Sequence, residues 1–238
     1  MYQSDLLPIQ MILVPQGAEY KAVRRGLSRA PCLDSIVVPI PVGLKPLTGY
    51  LQKLLADGFF NHGRSQVLVM GLCGSLSPRY SVGQIVLYQD CIYQVNATPL
   101  LQSCDSTLTA LFYSYIPQEV NLVKGLTSDR VIWSVEEKRR LGKQYNADVV
   151  DMEGFAILDL LTQAGVAVSM LRVISDDCQH DIPDLNSCIS SNGSLQPLSL
   201  ASRMIRQPIG ATRLIRGSLQ ALKILQKTTT ALLTCFPI

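Results

Sequence analysis

Val166-Ala167-Val168-Ser169-Met170-Leu171-Arg172-Val173-Ile174-Ser175-Asp176-Asp177 is apolar up to Ile174 except at Ser169 and Arg172, and then opens onto carboxylates. A continuous apolar run of that length reads as a strand buried on both faces, the pattern of a parallel sheet covered by helices. The strand is taken as 167–175, and outward from it comparable runs recur at 11–15, 35–40, 66–71, 84–88, 121–127 and 148–151. Helical patterns lie between them at 18–27, 46–55, 106–115, 135–145, 153–164 and 212–226. This alternation predicts an α/β fold, with one domain over residues 1–238 and a mixed, mostly parallel central sheet flanked by helices. A segment rich in Ser, Asn, Gly and Pro interrupts the pattern as an insertion at about 186–210, containing an amphipathic stretch at 198–206. It reads either as a lid beside a site or as a surface excursion, and a C-terminal helix at about 212–228 follows it.

The 238 residues, 47% of them hydrophobic, suffice for one sizeable core, and the net charge of +3 carries no nucleic-acid footprint. The basic charge is C-terminal: from Ile182 onward, Arg203, Arg206, Arg213, Arg216, Lys223 and Lys227 face only Asp184. Those at 206, 213, 216, 223 and 227 recur at helical intervals, which fits either peripheral contact with an anionic membrane or a solvated helix face. Seven scattered cysteines without a C-x-x-C pair suit reduced, buried thiols, and with only His62 and His180 available no zinc ligand set is expected. No metal and no cofactor is therefore predicted. Residues 1–14 carry Asp5 and Pro8 and no basic n-region, and no run reaches the roughly 18 apolar residues of a membrane span, so the reading is of a cytoplasmic protein.

In an α/β sheet the ligand lies beyond the carboxyl ends of the strands. Four such ends carry unusual chemistry. Asp176 stands where the buried strand opens; partial desolvation there would raise its pKa and suit it to donate a proton, while an N-cap or turn role is the ordinary alternative. Asp151 and Glu153 are two apart, so in extended chain both point to one face, and Gly154 permits close approach. A carboxylate there could accept the vicinal hydroxyls of a ribose, or Asp151 could simply cap the next helix. Gly71-Leu72-Cys73-Gly74-Ser75 reads as a tight loop whose amides could line a ligand, or as a structural turn. Glu19, just after Pro15-Gln16-Gly17, could activate a water or could be a surface residue of a first helical turn.

In this order the four segments resemble the nucleoside phosphorylase and nucleosidase superfamily, above all its methylthioadenosine/S-adenosylhomocysteine nucleosidases, over roughly residues 11–177. Val150-Asp151-Met152-Glu153 is similar to the family's V-E-M-E segment and Arg172-Val173-Ile174-Ser175-Asp176 to its R-x-I-S-D motif. The resemblance implies a phosphorylase/hydrolase-like fold, a homodimer, and cleavage of the N-ribosidic bond of an adenine-type nucleoside. Within it, Asp176 acts at the purine N7 with Ser175 beside it, Glu153 holds the ribose hydroxyls, Met152 packs on the ribose, Asp151 replaces a glutamate, and Glu19 positions water. Gly71, Leu72, Cys73 and Gly74 match the glycine-rich loop, and Val131 and Ile132 the segment flanking the base. Val69 and Leu72 stand where phosphorylases bind phosphate, which favours hydrolysis over phosphorolysis. Residues 191–208 resemble an insertion of the hopanoid-biosynthesis-associated branch, whose members act on adenosylhopane. Leu72 and Val131 also depart from the family's serine and phenylalanine, and this leaves two alternatives: an adenine-releasing enzyme of that lipid type, or a nucleoside-binding protein without catalysis.

Overall fold

The computed structural model describes residues 9–27, 37–60, 65–95, 98–188 and 197–235. In chain order the elements are β1 (Met11–Pro15), α1 (Ala18–Gly26), β2 (Val37–Ile40), α2 (Leu44–Ala56), β3 (Gln66–Ser75), β4 (Ile85–Val95), β5 (Thr98–Ser103), α3 (Ser106–Tyr115) and β6 (Val120–Thr127). After these come α4 (Val135–Tyr145), β7 (Val149–Asp151), α5 (Gly154–Gln163), β8 (Ala167–Asp176), α6 (Pro197–Arg206) and α7 (Pro208–Cys235). The single α/β domain is thus as expected. Strands β2, β1, β3 and β8 run parallel, β4, β6 and β7 run parallel to one another in the opposite sense, and β5 turns back on β4.

The quoted run is β8, and its alternation sorts two cores. Val168, Met170 and Ile174 enter a cluster with Leu47 and Leu51 of α2 and Phe155, Leu158 and Leu161 of α5. Ala167, Leu171 and Val173 enter the opposite cluster, with Val23 of α1, Phe112 of α3, and Ala221 and Leu225 of α7. The two polar residues of the run each have partners: Ser169 Oγ lies 3.1 Å from Thr109 Oγ1 on α3, and Arg172 points to the α2 and α5 side, toward acidic groups.

Three features depart from expectation. Residues 71–75 are strand, not loop, because both edges find partners there: Cys73 and Gly74 pair with β8 across a bulge, and Gly74 and Ser75 pair antiparallel with Val150 and Val149. That pairing closes β3, β8, β4, β6 and β7 into a ring of five strands. The exposed β5 went unread because almost none of its side chains is buried to leave a pattern. The C-terminal helix begins at Pro208 and not at Thr212, proline being well suited to the first position of a helix, and it runs on to Cys235. Of the insertion, the structure describes a 3₁₀ turn at Asn186–Cys188 and α6; residues 189–196 lie outside the described residues, as do 35 and 36 of the second predicted strand.

Candidate active site

Strand β7 is three residues long, and its last residue, Asp151, is held from three sides. Its Oδ1 accepts from Thr127 Oγ1 at 2.8 Å and from the Gly154 amide at 3.1 Å, and its Oδ2 lies 3.1 Å from Arg172 Nη2. Capping and charge pairing are therefore not alternatives here, since one carboxylate does both. A Cβ on Gly154 would come within 2.6 Å of Asp151 Oδ2, so the glycine is what lets the chain fold back over the carboxylate. Glu153, two residues on, points the same way. Its Oε1 accepts from the Gly43 amide at 2.9 Å, at the N-terminus of α2, and its Oε2 lies 3.8 Å from Arg172 Nη2. Gly43 holds φ +90°, a conformation that glycine adopts at no steric cost.

The third carboxylate is Glu19, in the first turn of α1. Its residue surface is partly exposed, but its carboxyl end is buried: Oε1 accepts from the Leu72 amide at 3.1 Å, and Oε2 has no hydrogen-bond partner among the described residues. Arg172 Nη1 likewise has none. Both atoms lie beside Gly71, on the side where a side chain would stand. A Cβ there would be 2.2 Å from Arg172 Nη1 and 3.3 Å from Glu19 Oε2.

Burial pushes the Glu19 pKa from 4.5 up to about 8; Arg172 and the Leu72 amide work against this, and the negative charges of Glu153 and Asp151 reinforce it. Glu153 is raised too, by burial first and by Asp151, against the pull of Arg172. Burial opposes the charge on Arg172, but Asp151, Tyr88, Glu153 and Glu19 together raise its pKa. Between pH 4.5 and about 8 the folded protein keeps a proton on Glu19 that the unfolded chain has released. The stability from that proton is whole below 4.5 and lost as pH rises through about 8. Thermal midpoints measured across this interval are expected to fall with pH. Glu19→Gln should flatten the fall, with a residual slope from Glu153; an unchanged slope would refute the assignment.

Asp176 closes β8 just past the bulge, where it pairs with Gly74. Its neighbour was not anticipated: Lys138 of α4, a fully buried side chain, donates to Asp176 Oδ2 and, at 2.7 Å, to the Asp177 carbonyl. Where partial desolvation was expected to govern Asp176, a cation stands against it. Ser175 Oγ lies 2.9 Å from Asp176 Oδ1 and 3.2 Å from the Cys73 carbonyl, and its one proton can go to either. The turn role belongs to the next residue, whose Oδ1 takes the amides of Gln179 and His180: it is Asp177. Gly74 makes room for Asp176, since a Cβ would meet its Oδ2 at 2.8 Å.

Ser175, Asp176, Asp177 and His180 line a cavity of about 270 Å³ whose far wall is α7, through Arg213, Arg216 and Gln220. Glu19 and Glu153 are not in its lining. Cys73 ties the two regions together, lying within the fields of Arg172, Asp151 and Asp176, and burial raises its thiol pKa well above 9.0. Met152 is half-buried, with its methyl group 3.8 Å from where a Cβ of Gly43 would be. Leu72 supplies its amide to Glu19 while its side chain packs on the opposite core. Val131 exchanges backbone hydrogen bonds of 2.8 and 3.1 Å with the Asn186 side chain, and Ile132 sits in a small cluster with Leu76, Leu126 and Val150, apart from the carboxylates. The sequence reading missed Thr127, Gly43 and Lys138 and did not link Arg172 to the carboxylates it gathers. A lone Arg in a buried strand was the available signal, because a buried charge has to be met by its opposite.

A family model described as the phosphorylase superfamily matches residues 50–188. No curated protein matches the chain in sequence. Among solved structures, the futalosine hydrolase of Helicobacter pylori strain 26695 superposes with a TM-score of 0.67 at 15% identity, covering 93% of this chain and 95% of that one. The 5'-methylthioadenosine/S-adenosylhomocysteine nucleosidase from Helicobacter pylori with butyl-thio-DADMe-Immucillin-A gives 0.61 at 16%, covering 92% and 97%. The Campylobacter jejuni nucleosidase of the same name gives 0.60 at 13%, covering 92% and 99%. At these identities the likeness is one of fold.

Proposed function

Because the chain belongs to the phosphorylase superfamily, we propose that it hydrolyses the N-ribosidic bond of an adenine-type nucleoside and releases the purine base. The observation that carries this reading is the acceptor and donor beside Gly71, Glu19 Oε2 and Arg172 Nη1. A water between them would accept from the guanidinium and give its proton to the carboxylate. With its pKa raised to about 8, Glu19 takes that proton through its ionised fraction, which grows as pH rises toward 8.

The C1'–N9 bond breaks with its electron pair leaving on the base, so negative charge grows on the purine and positive charge on the sugar. Asp176, when protonated, delivers a proton or hydrogen bond at N7, Glu153 faces the sugar hydroxyls, and water that gives its proton to Glu19 completes the bond to C1'. Phosphate is the poorer nucleophile for this site. Asp151, Glu153 and Glu19 surround the single guanidinium of Arg172, Val69 is buried in the core, and the Leu72 side chain is turned away. An incoming dianion would meet more negative charge than positive.

Lys138 favours a second reading of the base. An ammonium next to Asp176 can donate to a 6-oxo group but not to a 6-amino group, which would suit a hypoxanthine-type nucleoside. One experiment addresses both: methylthioadenosine, S-adenosylhomocysteine and inosine-type nucleosides are incubated with the protein, with and without phosphate, and the products resolved. Free sugar formed at a rate indifferent to phosphate is expected, and sugar 1-phosphate would overturn hydrolysis. Which purine is released decides the base.

A further inference from the structure

From Pro197 to Cys235 the chain contains no Asp and no Glu, against Arg203, Arg206, Arg213, Arg216, Lys223 and Lys227. Exposed aliphatic side chains stand among these cations. Leu198 is 88% exposed, Ile205 79%, Ile209 68% and Leu219 62%, the four most exposed large hydrophobic residues among those described. On α6, Leu198 and Ile205 are two turns apart and share a face, with Arg206 beside them. On α7, Ile209, Arg213, Arg216, Gln220, Lys223 and Lys227 follow one another at steps of three and four along one exposed stripe, whose Arg213, Arg216 and Gln220 border the Asp176 cavity, while Ala211, Ala221 and Leu225 face the core. No helix among the described residues is long and apolar enough to cross a membrane.

We propose that α6 and the exposed stripe of α7, as far as Lys227, are a docking face for an anionic lipid surface. Leu198, Ile205, Ile209 and Leu219 enter the boundary between headgroups and acyl chains, and the arginines meet lipid phosphates. The charge pattern selects this occupant. In a two-fold contact with a second copy, a face of cations without carboxylates would be set against itself. A nucleic acid would answer the charge but leave the protruding leucine and isoleucines against phosphates and sugars, where they find no partner. A lipid surface answers both. Arg213 and Arg216 also line the cavity that Asp176 enters, so the docked face carries one wall of that cavity.

The test is flotation of the full chain with vesicles of phosphatidylcholine alone or mixed with phosphatidylglycerol. Binding to the anionic vesicles, its release by high salt, and little binding to neutral ones are expected. Ile205→Asp with Ile209→Asp should weaken partitioning at least tenfold, and Lys223→Glu with Lys227→Glu by about fivefold per charge removed. Leu198→Asp serves as an independent single variant, and all should melt like the parent because the altered side chains are exposed. The proposal fails if anionic vesicles do not bind, if neutral vesicles bind equally well, or if folded aspartate variants bind like the parent. It fails also if those variants split a dimer in sedimentation, or if a DNA fragment binds in an Ile205- and Ile209-dependent way, since the face would then belong to another partner.

Discussion

Replacing Arg172 with methionine is expected to destabilise the protein by about 3–5 kcal/mol, the usual cost of removing one partner from a buried charge group. For a chain of this length that corresponds to a fall in thermal midpoint of roughly 10 °C or more. The guanidinium is fully buried and lies 3.1 Å from Asp151 and 3.8 Å from Glu153, with Glu19 also in its field. Without it three carboxylates share an interior with no positive charge nearby. They can answer by taking up protons, so the loss should be largest at alkaline pH and smaller near pH 5. Arg172→Lys tests the role of shape. A lysine keeps the charge, but its single ammonium cannot offer Nη2 to Asp151 and Glu153 while presenting Nη1 at Gly71. It is expected to recover part of the stability and little of the activity. Melting curves at two pH values measure all of this, and a methionine variant as stable as the parent would show that the cluster is not held by its arginine.

Asp176→Asn is expected to lower purine release by about 10²–10⁴-fold, the range lost with a general acid. Stability complicates the measurement in a useful way. Lys138 is fully buried against Asp176, so the asparagine leaves an ammonium without its carboxylate. The single variant should lose both activity and stability. Adding Lys138→Met removes the orphaned charge, and the double variant should regain stability while its activity stays low. Stability and turnover are thereby separated by a double-mutant cycle. If the double variant regained activity along with stability, Asp176 would be a structural partner of Lys138 and its assignment to the leaving base would fall.

Much of this site was legible because it sits on buried strands, where polar residues stand out. Arg172 interrupts an apolar run and Asp176 ends it, and Asp151 and Glu153 stand at the two-residue spacing that first suggested a shared face, both reaching Arg172 although the strand stops at Asp151. Their convergence on one guanidinium needed the structure, because β7 and β8 do not pair with each other and are brought together by the strands between them, β3 above all. Lys138 was hidden for the opposite reason. It lies in Val135–Tyr145, a helix polar on nearly every side, where nothing in the order of Glu136, Glu137, Lys138, Arg139 and Arg140 marks the one that turns inward. The segment 71–75 was misread because glycines usually mark turns, whereas here Gly71 and Gly74 are strand residues that make room for Arg172 and Asp176.

The ring of five strands gives this arrangement a temporal side. Its last member to be synthesised is β8, which pairs with β3 and β4 and brings with it both the guanidinium and the terminal aspartate. A nascent chain that has emerged only as far as α5 already holds Glu19, Asp151 and Glu153, three carboxylates with no cation to gather them. Completion of the barrel and assembly of the charge cluster are therefore one event during synthesis, separated by more than a hundred residues from the first strand and dependent on long-range pairing that forms slowly. A chain that stops short of β8 lacks the guanidinium, closure of the ring supplies it, and the α7 wall of the Asp176 cavity arrives only afterwards.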